Sequence, residues 1–178
     1  MSFHAMIDLE TLDTRPSCQI LTLGAVKFNP FTNDEPYSDL YMKPDMKQQK
    51  EKGRTTCDST IEWWSKQDTC IREEAFSIKE RLRVETMLDH LTEWLGDVDT
   101  LWGHGYGFDI SILEDLYRNW DRNIPWNFWQ VKDSRTLFSC CKKDPRKSIQ
   151  NNLHNALSDA YFQAKSVQIA YRELGVKR

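Results

Sequence analysis

Met6-Ile7-Asp8-Leu9-Glu10-Thr11 reads as a buried strand that carries two acids. Side chains alternate along a strand, so Asp8 and Glu10 share one face, roughly 6–7 Å apart along the backbone. Two carboxylates beside a core repel each other and lose hydration unless a positive group stands between them. No Lys or Arg lies within four residues on either side. A divalent metal is the natural counter-charge.

Outward from this stretch, the strand is predicted over Phe3–Leu9, with a second over Ile20–Phe28 and a third over Tyr37–Lys43. Turn chemistry at Thr14-Arg15-Pro16-Ser17 and from Asn29-Pro30 to Asn33-Asp34 joins them into an antiparallel meander. The polar stretch 44–57 reads as a surface loop. Ser59-Thr60-Ile61-Glu62 matches a capping box ahead of Trp63-Trp64. Val84, Met87, Leu88, Leu91, Trp94 and Leu95 recur with helical period over 80–95, closed by Gly96. A strand follows over Thr100–Gly103, and a Gly-rich turn leads into a helix opened by Asp109. A further strand is expected near Trp129–Lys132. The last helix should run from Asn155 to Leu174, with Ala156, Ala160, Ala164, Val167 and Tyr171 on its inner face. Three strands followed by alternating helices and strands predict an α/β domain with a mixed sheet covered by helices, a single one over 1–178.

The 178 residues suffice for one sizeable core, and 39% hydrophobic content with seven tryptophans marks a globular chain. A net charge of −3 argues against a protein that coats duplex DNA. It is compatible with an enzyme that grips one strand end, because bound metal offsets a local excess of acid. The five cysteines are odd in number and form no C-x-x-C pair, which fits a reducing compartment, the cytoplasm, rather than a disulfide framework. No apolar run reaches membrane-spanning length, and the N-terminus lacks a signal-peptide pattern.

Three further residues join the first pair. Asp109 stands where a strand passes through a Gly-rich turn into a helix, the usual edge for ligand sites in α/β sheets. Asp159 lies one turn inside the last helix, and His154 precedes it by five residues. Within one helix that offset turns the two side chains about 140° apart; with His154 in the preceding loop, both can face one site.

Asp8, Glu10, Asp109 and Asp159 with His154 resemble the DEDDh branch of the DEDD 3′–5′ exonuclease superfamily. Ile7-Asp8-Leu9-Glu10-Thr11 is similar to its first motif, Trp102-Gly103-His104-Gly105 to Phe108-Asp109 to its second, and His154-Asn155-Ala156-Leu157-Ser158-Asp159-Ala160 to its third. Ser59-Thr60-Ile61-Glu62-Trp63-Trp64 and Asp133-Ser134-Arg135-Thr136 resemble further segments of its phage and prophage members. The resemblance spans Met6 to about Ala170. It implies a ribonuclease H-like fold and hydrolysis of phosphodiester bonds at a single-stranded 3′ end, releasing nucleoside 5′-monophosphates. The four acids would hold two Mg²⁺ or Mn²⁺ ions, whose hard character suits oxygen ligands. His154 would be the general base, as imidazole accepts a proton near neutrality. The phage relatives include DNA-degrading members and broader relatives degrade RNA, so single-stranded DNA is the favoured substrate and an exoribonuclease the alternative. A silent nucleic-acid-binding module on the same fold is the reading from another class, disfavoured by the complete acid set. Many relatives are homodimers.

Around the acids, Thr11, Leu12 and Phe108 are candidates to touch the terminal nucleotide. Trp63 and Trp64 lie about 100° apart on a helix, so one should enter the core while the other is free to stack on a base. Trp64 is carried as a nucleic-acid contact. His104 stands where relatives often have Asn and could meet a phosphate or a loop carbonyl. Arg135 would brace the site or bind a phosphate, with bracing preferred. The basic run Lys142-Lys143-Asp144-Pro145-Arg146-Lys147 would be a solvated loop able to steer a polyanion.

Overall fold

The computed structural model describes residues 3–105, 107–149 and 154–178; Tyr106 of the Gly-rich turn lies outside them. Among the described residues, six strands form one sheet: β1 (His4–Thr11), β2 (Ile20–Phe28), β3 (Tyr37–Pro44), β4 (Arg81–Leu82), β5 (Thr100–Gly103) and β6 (Val131–Asp133). Their order is β4-β3-β2-β1-β5-β6. The pairs β1–β2 and β2–β3 are antiparallel, whereas β1–β5, β5–β6 and β3–β4 are parallel. The sheet is therefore mixed, as predicted, with β1 at its centre.

Alternation along β1 sorts the core into two layers. Ala5, Ile7 and Leu9 pack with α4 (Val84–Leu95) and α5 (Asp109–Asn119). Met6 packs on the opposite face with Val26, Trp102 and the Ala160, Ala164 and Val167 stripe of α7 (Ala156–Glu173). Asp8 and Glu10 continue the Met6 row, which puts both acids on the α7 face. Helix α7 starts at its Asn155 cap, whose side chain accepts from Ser158 N at 3.0 Å.

Five local points differ from the sequence expectation. Stretch 44–57 contains α1 (Met46–Glu51), capped by Asp45; the fully buried Gln49 gave no apolar signal because it bonds the strand backbone instead, accepting from Ile20 N and donating to Ile20 O. Helix α2 (Asp58–Ser65) starts one residue before the proposed capping box, with Cys57 at its cap and no side-chain cap bond. Helix α3 (Thr69–Phe76), capped by Asp68, was missed. Helix α4 starts at Val84 rather than residue 80, because Arg81–Leu82 pair with β3. A 3₁₀ turn over Phe128–Gln130 also delays the sixth strand to Val131, and α6 (Ser134–Ser139) follows it.

Candidate active site

Asp109 is tied to two parts of the sheet at once. Its Oδ1 accepts from the Leu9 amide and its Oδ2 from the His104 amide, both at 3.1 Å. The second motif is thereby fixed against the first, beside Asp8 and Glu10. The turn that allows this passes through Gly105, at φ +115, where a side chain would be strained. The Gly105 amide is held by Asp133 Oδ1 at 2.9 Å.

Asp159 arrives from the other side through a close backbone contact. Gly24 pairs with Asp8 across β1–β2. A Cβ on Gly24 would stand 2.2 Å from Ala156 C and Leu157 N. Only a bare α-carbon lets the first turn of α7 settle on the sheet beside Asp8. One helical turn after Asp159, Gln163 donates from Nε2 to Asp8 Oδ1 at 2.8 Å and orients that carboxylate.

His154 lies in a turn outside α7, with φ 68 in the left-handed region that a β-carbon disfavours. Its amide donates to Asp159 Oδ2 at 3.0 Å, which holds this backbone shape. One ligand-type atom each from Glu10, His154 and Asp159 lie within 4.8 Å of one another. Of the two placements open to His154, the loop placement is the one found.

The carboxylates are electrostatically unsatisfied. Burial, then Asp159 and Asp109, push Glu10 up to about 8. Asp8 is raised well above the usual carboxylate range by burial and by Asp109, Glu10 and Asp159, against which the Gln163 amide works. Asp109 is raised by burial despite its amide partners. Among the described residues no Lys or Arg forms an ion pair with Asp8, Glu10 or Asp109. The crowded hard oxygens of Asp8, Glu10 and Asp109 fit a divalent metal, which would work against each of these shifts.

The peripheral candidates fare differently. Trp64 is buried, with its Nε1 donating to Thr11 O at 2.9 Å, so it cannot serve as a base platform. Trp63 is the exposed indole, 40% accessible, and meets the His154 ring edge to face at 4.8 Å. Leu12 is likewise corrected to a packing residue, buried with Leu21, Trp64 and Ala75; its amide and carbonyl are taken by Gln19 and Cys57. Thr11 turns its hydroxyl to Asp13 O, although it still lines a cavity of about 330 Å³ with Glu10, Trp63 and the half-buried Phe108. Arg135 spans the second-motif turn, donating to His104 O at 3.4 Å, which is the bracing role.

Among the described residues, the His104 ring bonds no loop carbonyl. Arginine can only donate, so the 2.8 Å contact of Arg146 Nη1 makes His104 Nε2 the acceptor. The ring proton then sits on Nδ1 and is given to Ser134 Oγ at 2.9 Å, whose hydroxyl donates to Gly103 O at 3.0 Å. Burial and the charges of Arg146 and Arg135 press the His104 pKa down to about 4, consistent with a neutral ring. Both ring nitrogens are engaged, which leaves the His104 ring none for a direct phosphate contact.

Residues 3–171 match the family model described as the 3′-5′ exoribonuclease Rv2179c-like domain. The chain belongs to that family. The description of that family is of a nuclease, a phosphodiester hydrolase of the 3′–5′ exonuclease kind. No curated protein matches the sequence. Among solved structures the chain is similar to cell-death related nuclease 4 (CRN-4), at TM-score 0.67 and 13% identity, covering 98% of this chain and 65% of that one. It is also similar to the nuclease domain of 3′hExo, a DEDDh family member solved bound to rAMP, at TM-score 0.58 and 14% identity, covering 96% and 92%. These likenesses establish the ribonuclease H-like fold. The chain spans about two thirds of CRN-4, 65% of its length.

Sequence reasoning did not find Gly24, Gln163, Ser134 or the exact place of Arg146. Gln163 could have been found from its i+4 spacing to Asp159 on one helix face. Gly24 carries no local signal, since its need arises only from the pairing of β2 with β1 and the seat of α7. Among the described residues no helix is long and apolar enough to cross a membrane.

Proposed function

We propose that the chain removes nucleoside 5′-monophosphates one at a time from the 3′ end of single-stranded RNA, as one domain acting in the cytoplasm. Asp8, Glu10, Asp109 and Asp159 hold two divalent ions, Mg²⁺ or Mn²⁺, and His154 is the general base. The observation that carries this reading is the gathering of Glu10, His154 and Asp159 atoms within 4.8 Å, beside an Asp8 that feels Asp109, Glu10 and Asp159 together. Bound there, the ions would supply the positive charge that phosphodiester displacement requires at the attacking and leaving oxygens.

The chain's own residues do the rest. Water attacks phosphorus opposite the 3′-oxygen of the penultimate nucleotide, and His154 accepts its proton as the bond to that oxygen breaks. The Asp159 bond to the His154 amide and the Trp63 ring keep the imidazole aimed. Gln163 fixes the Asp8 carboxylate. Trp63 and Phe108, walls of one cavity, are placed to sandwich or edge the terminal nucleoside.

RNA is favoured by the family's description as an exoribonuclease domain and by the rAMP held in the 3′hExo nuclease domain. Single-stranded DNA is the second substrate, on the motif resemblance. Matched RNA and DNA oligomers of one sequence, assayed side by side with Mn²⁺, separate the two: faster mononucleotide release from RNA supports the proposal. Equal or faster release from DNA sinks the RNA preference, and binding without release supports the silent module.

A further inference from the structure

A cavity of about 600 Å³ runs from His154, Asp159 and Gln163 to His104, Arg146 and Lys147. The smaller cavity lined by Trp63 and Phe108 also takes in Glu10, whose carboxylate gathers with His154 and Asp159 of the first. The smaller cavity is thus aromatic-walled, and the larger has a basic end at Arg146 and Lys147, beside Asp144.

Arg146 on the basic side is held rigidly and yet half open. Its Nε lies 3.0 Å and 3.1 Å from the two Asp144 oxygens, and Nη2 lies 2.6 Å from Asp144 Oδ2. Nη1 donates to His104 Nε2 at 2.8 Å, and the guanidinium centre stands 6.0 Å from the Phe138 ring centroid. Half of the side chain remains accessible, at 50%. A guanidinium has five N–H donors. One from Nε, one from Nη2 and one from Nη1 are used, which leaves two without a partner among the described residues. A planar fork with two donors to spare, fixed in place before binding, matches the geometry of a phosphate.

We propose that Arg146 binds the strand phosphate immediately upstream of the scissile one, with His104 and Asp144 as its positioning residues. The scissile phosphate sits at the carboxylates, the terminal nucleoside on the Trp63 side, and the remaining strand leaves along the basic cavity past Arg146 and Lys147. The His104–Ser134–Gly103 hydrogen-bond chain fixes Arg146 to the loop whose His104 amide holds Asp109. Distance between the phosphate grip and the reacting phosphate is thereby set. This inference rests on the exonuclease reading above.

The test compares a 5′-hydroxyl dinucleotide, whose only phosphate is the scissile one, with the trinucleotide, which adds one upstream phosphate. The measured quantity is the ratio of kcat/KM for trinucleotide over dinucleotide. Arg146→Met should lower that ratio roughly tenfold, as expected for a charge-assisted bidentate contact; Arg146→Lys, which keeps the charge and loses the fork, should lower it less. With a longer oligonucleotide in Ca²⁺, the slope of log binding constant against log salt should shrink by about 0.7, the value for one phosphate of a single strand. An unchanged ratio and slope overturn the proposal. So does a parallel loss on both substrates with the slope kept, which would mean that Arg146 acts on Asp109 through His104. Should the wild-type protein cleave neither substrate, the exonuclease reading fails, and the salt slope alone decides the phosphate contact.

Discussion

The Leu9 amide donates to the Asp109 carboxylate at 3.1 Å, joining residues 100 positions apart in the chain. This bond places the second-motif acid beside the first-motif pair before any ligand arrives. Because the same carboxylate also accepts from His104 N, Asp109→Ala would release both the strand and the loop. Asp109→Asn keeps the volume and one acceptor. It should lower activity by at least a hundredfold while shifting Tm by only a few degrees, and Asp109→Ala should lose stability as well. Melting curves and 3′-end release on the two variants separate charge from scaffold.

Burial of the acids, with their mutual repulsion, makes the metal-free protein sensitive to pH. Glu10 is raised from the ordinary carboxyl range to about 8. Its stabilising share is complete below the ordinary value near 4.5 and disappears as pH climbs through about 8, because the unfolded chain ionises more readily. Asp8 and Asp109 are displaced in the same direction. In EDTA, Tm should therefore fall from pH 5 to pH 9. Glu10→Gln should flatten that fall, and Mn²⁺ should reverse it. A Tm that rises over this range in EDTA contradicts the repulsion.

His154 stands near enough to Glu10 and Asp159 for two roles, proton acceptor or ligand. As proton acceptor, His154→Ala should reduce turnover by roughly 10²–10⁴-fold and leave Mn²⁺ affinity, read by calorimetry, within a fewfold of wild type. Loss of Mn²⁺ binding together with activity would make it a ligand instead.

The two adjacent indoles should separate cleanly. Trp64→Ala removes a buried ring and its bond to Thr11 O, and should cost about 3–5 kcal/mol of stability. Trp63→Ala should leave Tm nearly unchanged and raise KM for oligonucleotide. A KM effect confined to the Trp64 variant would reverse this assignment.

Gly24→Ala tests how α7 is seated. Its Cβ would meet the backbone of Ala156 and Leu157 at 2.2 Å, where no flexible side chain can yield. Overpacking of this kind costs about 1–3 kcal/mol or more. The variant should lose activity by displacing Asp159, at a Tm lowered but still measurable. Full activity would show that the helix can lift without moving the acid.

Legibility in the sequence followed the range of each signal. The central strand, the β2 limits and the α7 stripe were readable because apolar period and an Asn cap are local. The candidate set of four acids and His154 came from motif resemblance, and Asp109 also from its place after a Gly-rich turn; the structure brings Glu10, His154 and Asp159 within 4.8 Å. Residues defined by tertiary contact were not readable. Gln49 is fully buried for strand-backbone bonds rather than apolar burial, so α1 passed for a loop. Trp63 and Trp64 differ only in which one the small Leu12–Leu21–Ala75 cluster claims. Arg146 appeared as one cation of a solvated run, since His104 and Phe138, which hold it, lie at distant positions.

The most direct measurement uses one RNA oligomer labelled in separate preparations at its 3′-terminal nucleotide and at its 5′ end, incubated with Mn²⁺ and wild-type protein or Asp8→Asn. Wild type should release the 3′ label at once as a nucleoside 5′-monophosphate while the 5′ label shortens stepwise, and Asp8→Asn should release neither. Release that begins at the 5′ label, or an Asp8→Asn protein as active as wild type, would contradict the carboxylate cluster as the seat of 3′–5′ cleavage.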